Sequence, residues 1–89
     1  MTEPFMSEKT FILEIFSPEK KVFSGEVNLA TFPGEKGLFT VLYNHAPLIS
    51  VLTKGTVRWV IADKEDNVAI NGGFVEIKEN KITACVEIL

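Results

Sequence analysis

The chain has 89 residues, a formal net charge of −3, and 46% hydrophobic against 24% charged residues. That is enough for one hydrophobic core and not two, because a chain this short buries only roughly 60–65% of its unfolded surface, and the apolar share excludes disorder as the main state. Its nine basic residues stand singly or in pairs such as Lys20-Lys21, which excludes a stripe that could follow a nucleic-acid backbone.

Met1 to Glu8, with Pro4, two methionines and no period, reads as a loose N-terminal tail ahead of one domain spanning residues 9–89. Thr10 to Phe16 is a strand with partial alternation, and Ser17-Pro18-Glu19-Lys20 is a turn in which Pro sets φ. A short strand from Lys21 to Ser24 stops at Gly25, and the next, Glu26 to Phe32, ends where Pro33 would leave a ladder position without a donor. Two turn segments, 33–37 and 43–47, then bracket the apolar run Leu38 to Leu42. These turns emerge at the two ends of that strand, or fold back together if it bends.

Leu48 to Leu52 is a further apolar run, and Thr53-Lys54-Gly55 turns the chain. Thr56 to Ala62 alternates, with Val57, Trp59 and Ile61 on one face and Arg58 and Val60 on the other, and Trp59 is the largest apolar load available to the core. The polar run Asp63 to Asn67 is an exposed hairpin loop, and Asn71-Gly72-Gly73 is a break after the brief strand Val68 to Ile70. From Gly73, Val75 and Ile77 oppose Phe74, Glu76 and Lys78, and Glu79-Asn80 is a two-residue turn into the alternating residues Ile82, Ala84, Val86 and Ile88. About eight to ten short strands with no 3.6-residue period predict an all-β sandwich or small barrel without helices.

Chemistry is sparse. His45 has no serine or carboxylate beside it in a triad-like pattern, and a turn histidine bonded to backbone accounts for it better than a general base. One His and one Cys forty positions apart supply too few metal ligands. Cys85 sits inside a strand as a small hydrophobe and can form no internal disulfide, and no signal-peptide pattern opens the chain, so a reducing cytosolic compartment is expected. Gly34 and Gly37 lack the Gly-Lys-Thr ending and following helix of a phosphate cradle, so no cofactor is expected. No apolar run approaches the roughly 20 residues of a spanning helix, so association with a membrane goes through another protein. Contact remains as the function: Phe16, Phe32, Phe39, Tyr43 and the Leu48-Ile49 pair exceed what one face of a sheet requires, and some are core while others meet a partner.

Phe-Ser-Gly-Glu-Val at 23–27, the Pro-Gly-x-x-Gly turn at 33–37, His-Ala-Pro-Leu at 45–48 and Asn-Gly-Gly-Phe-Val-Glu-Ile at 71–77 together resemble the epsilon subunit of rotary F-type ATP synthase, from about Lys9 to Leu89. The resemblance implies a flattened antiparallel β-sandwich of about ten strands. It implies a non-catalytic coupling element of the central stalk, which links the gamma subunit to the c-ring, so that ion translocation drives ATP synthesis at the cytoplasmic face of a bacterial membrane. Carried over by position, it makes Glu35, Lys36, Tyr43, Asn44, His45, Ala46 and Pro47 the candidates for contact with gamma or the ring. Tyr43-Asn44 stands where many members have Pro-Gly, and Gly37-Leu38 stands where an acid is common. The family's helical hairpin would follow Leu89, so the chain is either a short form or a cut piece of a longer one, with no nucleotide site expected. A stand-alone sandwich that binds a peptide or glycan is the competing reading.

Overall fold

The structure, a computed structural model, describes residues 9–89, so the predicted N-terminal tail, 1–8, lies outside the described residues. Eight strands follow one another: β1 (Phe11–Phe16), β2 (Lys21–Val27), β3 (Leu29–Gly34), β4 (Gly37–Val41), β5 (Leu48–Leu52), β6 (Gly55–Ile61), β7 (Lys64–Lys78) and β8 (Lys81–Ile88). Among the described residues there is no helix. All neighbouring strands are antiparallel except β1, which runs parallel to β8 with Leu13 opposite Ile82 and Ile15 opposite Ala84.

Hydrogen bonding links the strands in the order β2-β1-β8-β7-β5-β3-β4, with β6 between β3 and β7. The fifteen-residue β7 folds this continuous ladder into two layers. Its first half, Lys64 to Ile70, pairs with β6, and its second half, Gly73 to Ile77, pairs with β5, while β8 covers its other edge. A register shift between Ile70 and Gly72 marks the bend. That the layers face each other is clear from Phe23 of β2 and Trp59 of β6, which share no ladder yet bring their rings to 4.7 Å between centroids.

The core lies between the layers. Leu13 and Ile15 of β1, Phe32 of β3, Val57 and Trp59 of β6, Val75 and Ile77 of β7, and Ile82, Ala84 and Val86 of β8 are all buried in one cluster. The predicted alternation of β6, β7 and β8 holds for these residues, with this phase inward. Ile61 and Ile88, the last residues of β6 and β8, depart from it and are exposed.

Four local expectations are corrected. Gly25 does not stop β2, which continues to Val27 opposite Phe11; the chain bends instead at Asn28, whose N–H donates to Val60 O and whose Oδ1 accepts the Ala62 N–H, each at 2.8 Å. Pro33 lies within β3, opposite Leu38. Its missing donor falls where β3 has left β6 at Thr31 and meets β5 only at Gly34, and its carbonyl accepts the Thr53 N–H at 2.9 Å. The Asp63–Asn67 run is not a loop: Ala62-Asp63 alone makes the turn, and Lys64 to Asn67 pair residue by residue with β6. Nor does Asn71-Gly72-Gly73 end the strand: Asn71 bulges out of the ladder, Gly72 pairs with Glu87, and Gly73 pairs with Leu52 on one edge and Val86 on the other.

Candidate functional site

The outer face of the β5-β7-β8-β1 layer carries the most distinctive surface. Pairing sets Val51 opposite Phe74, Phe74 opposite Cys85, and Cys85 opposite Phe16, so that one row of four apolar side chains crosses four strands. Side chains alternate across a strand, so these four share the face opposite to Val75, Ala84 and Ile15, which fill the core. Val51 is 54% exposed and Phe74 51%, while Cys85 and Phe16 are half-buried. Ile49, two residues before Val51 on the same face, is 72% exposed. The tip of the β3-β4 hairpin extends the patch, because Leu38, 75% exposed, lines a shallow cleft with Ile49 and Val51. The next rows of the same face are mainly polar: Thr83 lies between Glu14 and Glu76, and Lys81 between Ile12 and Lys78, with Ile12 and Ile49 as the apolar members at the row ends. Lys81 Nζ reaches Glu14 Oε1 at 3.6 Å.

A clustered apolar row beside a polar field is how a partner-covered face differs from scattered surface hydrophobics. Of the residues expected at a contact surface, Phe16, Tyr43, Leu48 and Ile49 all reach the surface at least in part. Phe32 is core instead, fully buried, while Phe39 is half-buried: it stacks on Phe32 at 5.6 Å and also lines the cleft with Leu38 and Ile49. Leu38, Val51 and Phe74 were missed. The signal for Phe74 was present, since it is apolar in the phase that Glu76 and Lys78 occupy.

The predicted turn residues fall into two groups. Glu35 and Lys36 form the two-residue β3-β4 turn, which leans on the β5 edge through a 3.0 Å bond from the Glu35 N–H to Val51 O, and they line the cleft with Leu38 and Ile49. Tyr43, Asn44, His45, Ala46 and Pro47 lie in the β4-β5 connection, off the other end of β4. There the His45 N–H donates to Leu42 O at 3.1 Å, and His45 Nδ1 lies 2.7 Å from Ala46 O, a local backbone bond of the kind expected for a turn histidine. Asn44, at φ +67, is tied to Asn80 of the β7-β8 turn. The short strand β4 thus separates the two turns, and contacts with β5 and with the β7-β8 turn anchor them independently.

Among the described residues, no three His, Cys, Asp or Glu side chains converge to hold a metal ion, and no helix is long and apolar enough to cross a membrane.

A family model, that of the β-sandwich domain of the ATP synthase delta/epsilon chain, matches residues 10–88. The chain belongs to this family. It is 46% identical over 82 residues to the ATP synthase epsilon chain of Chlorobaculum tepidum, an alignment that covers 91% of this chain and 93% of that one. Over 78 residues it is 46% identical to the epsilon chain of Pelotomaculum thermopropionicum, covering 88% of this chain and 58% of that one. It therefore spans nearly all of one relative and little more than half of another. Among solved structures it superimposes with a TM-score of 0.83 on a chain of the Euglena gracilis mitochondrial ATP synthase in an assembly of OSCP, F1 and c-ring, at 19% identity over 97% of this chain and 53% of that one. A chain of the Tetrahymena thermophila mitochondrial ATP synthase, from a central stalk and c-ring assembly, gives a TM-score of 0.72 at 13% identity, covering 85% of this chain and 62% of that one. At those identities the two structures speak for the fold, which is the β-sandwich expected. Eight strands build it where about ten were expected. An epsilon chain is a non-catalytic subunit of ATP synthase.

Proposed function

We propose that this chain is a rotor subunit of the ATP synthase central stalk: its apolar face docks on the gamma subunit, and its turns meet the c-ring. Torque from ion translocation then passes between the membrane ring and the catalytic head at the cytoplasmic face of the membrane. The observation that carries this reading is the Val51-Phe74-Cys85-Phe16 row with Ile49 beside it, a surface whose exposure costs the isolated chain apolar hydration that a partner removes. The relatives' names and the stalk and ring assemblies that contain the solved neighbours support it.

A coupling element requires a rigid body between two partners. A continuous ladder through all eight strands, locked by one core, supplies that stiffness, because a packed interior transmits strain rather than absorbing it. The Glu35-Lys36 turn and the Tyr43-to-Pro47 connection then offer polar groups and backbone for specific docking at the rim.

The test is a binding assay of purified chain with the gamma subunit, comparing wild type with Phe74→Asp. Phe74 is half exposed, so the variant retains its fold, while an unpaired carboxylate at the centre of an apolar interface weakens binding by about 30-fold or more, the effect of losing a hot spot of about 2 kcal/mol. Unchanged affinity would remove this face from the interface.

A further inference from the structure

The β4-β5 connection, Leu42 to Pro47, belongs to no ladder, yet its centre is held by a side chain from another part of the molecule. Leu42 to His45 form a β-turn closed by the His45 N–H to Leu42 O bond, with Asn44 at φ +67 in the position that favours Asn or Gly. The Asn44 N–H is not used by that closing bond. It donates to Asn80 Oδ1 at 2.7 Å, and Asn80 Nδ2 in return donates to Asn44 Oδ1 at 3.3 Å. The first bond fixes which end of the Asn80 amide faces the loop, since only its oxygen can accept from a backbone N–H, and the second follows from that choice. Asn80 is itself well anchored: it sits at φ +60 in the two-residue turn between β7 and β8, and its carbonyl accepts the Ile12 N–H at 3.0 Å. Lys9 Nζ lies 5.6 Å from the centre of the Tyr43 ring, which brings the approach to β1 against the same loop.

We infer that Asn80 is a positioning residue for docking: through its reciprocal amide pair with Asn44 it sets the conformation of the Tyr43-to-Pro47 loop before a partner arrives. Ordering five residues at the moment of binding subtracts from affinity, and a loop fixed beforehand avoids that cost. The pair is well suited to this, because one end stands on a rigid two-residue hairpin and the other satisfies a donor that the turn leaves open. The inference rests on the rotor reading for the partner's identity, but the ordering of the loop can be measured without any partner.

The variants are Asn80→Gly and Asn80→Asp. Glycine accepts φ +60 at no steric cost, so the β7-β8 turn persists while the amide pair is lost. Aspartate keeps the oxygen that accepts the Asn44 N–H and so serves as the rescue. Hydrogen exchange of the Asn44 amide in the isolated chain should quicken about 3- to 10-fold in Asn80→Gly, as for loss of one exposed hydrogen bond, and return toward wild type in Asn80→Asp. Affinity of the chain, in complex with purified gamma, for the detergent-solubilised c-ring should fall by a similar factor in Asn80→Gly while the amides of β7 and β8 keep their protection. Unchanged exchange at Asn44 would overturn the pairing, and quickened exchange with unchanged affinity would overturn its role in docking. Wild type that binds neither gamma nor the ring would overturn the rotor reading and with it the docking role, and the exchange measurement would still decide the pairing.

Discussion

Gly73→Ala examines the point on which both layers depend, the passage of β7 from one to the other. A Cβ at Gly73 would stand 2.2 Å from the Cys85 carbonyl oxygen and 2.8 Å from Val86 Cα, with the backbone at φ +149. Both obstacles are backbone atoms of the neighbouring strand, so no side chain can swing aside. The conformation costs an L-residue about 1–3 kcal/mol, and forcing the strands apart costs about as much again. Together these give a loss near 4 kcal/mol, against a total of roughly 4–13 kcal/mol for a chain of this length. Urea unfolding followed by the fluorescence of Trp59, the single tryptophan and a buried one, should show the midpoint falling by about 2–4 M if the slope is near 1–2 kcal/mol per molar. Gly37→Ala is the control, since its φ of +127 carries the conformational cost alone and a Cβ there meets nothing within 4 Å. The two glycines should therefore differ by about 2 kcal/mol. A midpoint for Gly73→Ala equal to wild type, or equal to that of Gly37→Ala, would refute the argument from close approach.

Trp59→Ala should cost about 3–5 kcal/mol, whereas Trp59→Phe should cost clearly less, because the buried indole Nε1 has no hydrogen-bond partner among the described residues and its removal leaves no group unsatisfied. Equal losses in chemical denaturation would mean that the indole N–H is satisfied after all. Asp63→Gly should stabilise by about 0.5–1 kcal/mol, since Ala62 at φ +47 and Asp63 at φ +74 make a hairpin turn that prefers glycine in its second place; a lower melting temperature would contradict this. Alanine at Glu35, Lys36 or His45 should change stability by no more than about 0.5 kcal/mol, because Glu35 contacts β5 through its backbone N–H. The same substitutions should lower the coupling of ion flow to ATP synthesis in the assembled enzyme, and full coupling would place the ring contact elsewhere.

Strand phases were legible wherever one face meets the core: Val57 and Trp59, Val75 and Ile77, and Ile82 with Ala84 and Val86 could be assigned inward from alternation alone. The errors share a cause, which is that local signals give way to neighbours in the fold. Gly72-Gly73 has the composition of a turn, yet β5 and β8 hold β7 extended on both edges, and the glycine at 73 serves close approach instead. Lys64 to Asn67 has the composition of a loop, yet β6 pairs with it fully because the two-residue turn at Ala62-Asp63 sets the register. Of the candidate site, the turn residues were visible as turns, but the apolar row was not, because its four members lie on four strands and only the pairing brings Phe16, Cys85, Phe74 and Val51 together. The Asn44-Asn80 pair, thirty-six positions apart, leaves no sequence signal at all.

The central claim is that the apolar row faces the gamma subunit, and a photoreactive phenylalanine analogue at position 74 tests it most directly. Irradiating the assembled ATP synthase should join this chain to gamma in one predominant product, identified by mass spectrometry, while the same analogue on the polar field at Thr83 should give little. Predominant crosslinking at position 74 to a c subunit, or none to any subunit in an enzyme that contains the chain, would contradict the account.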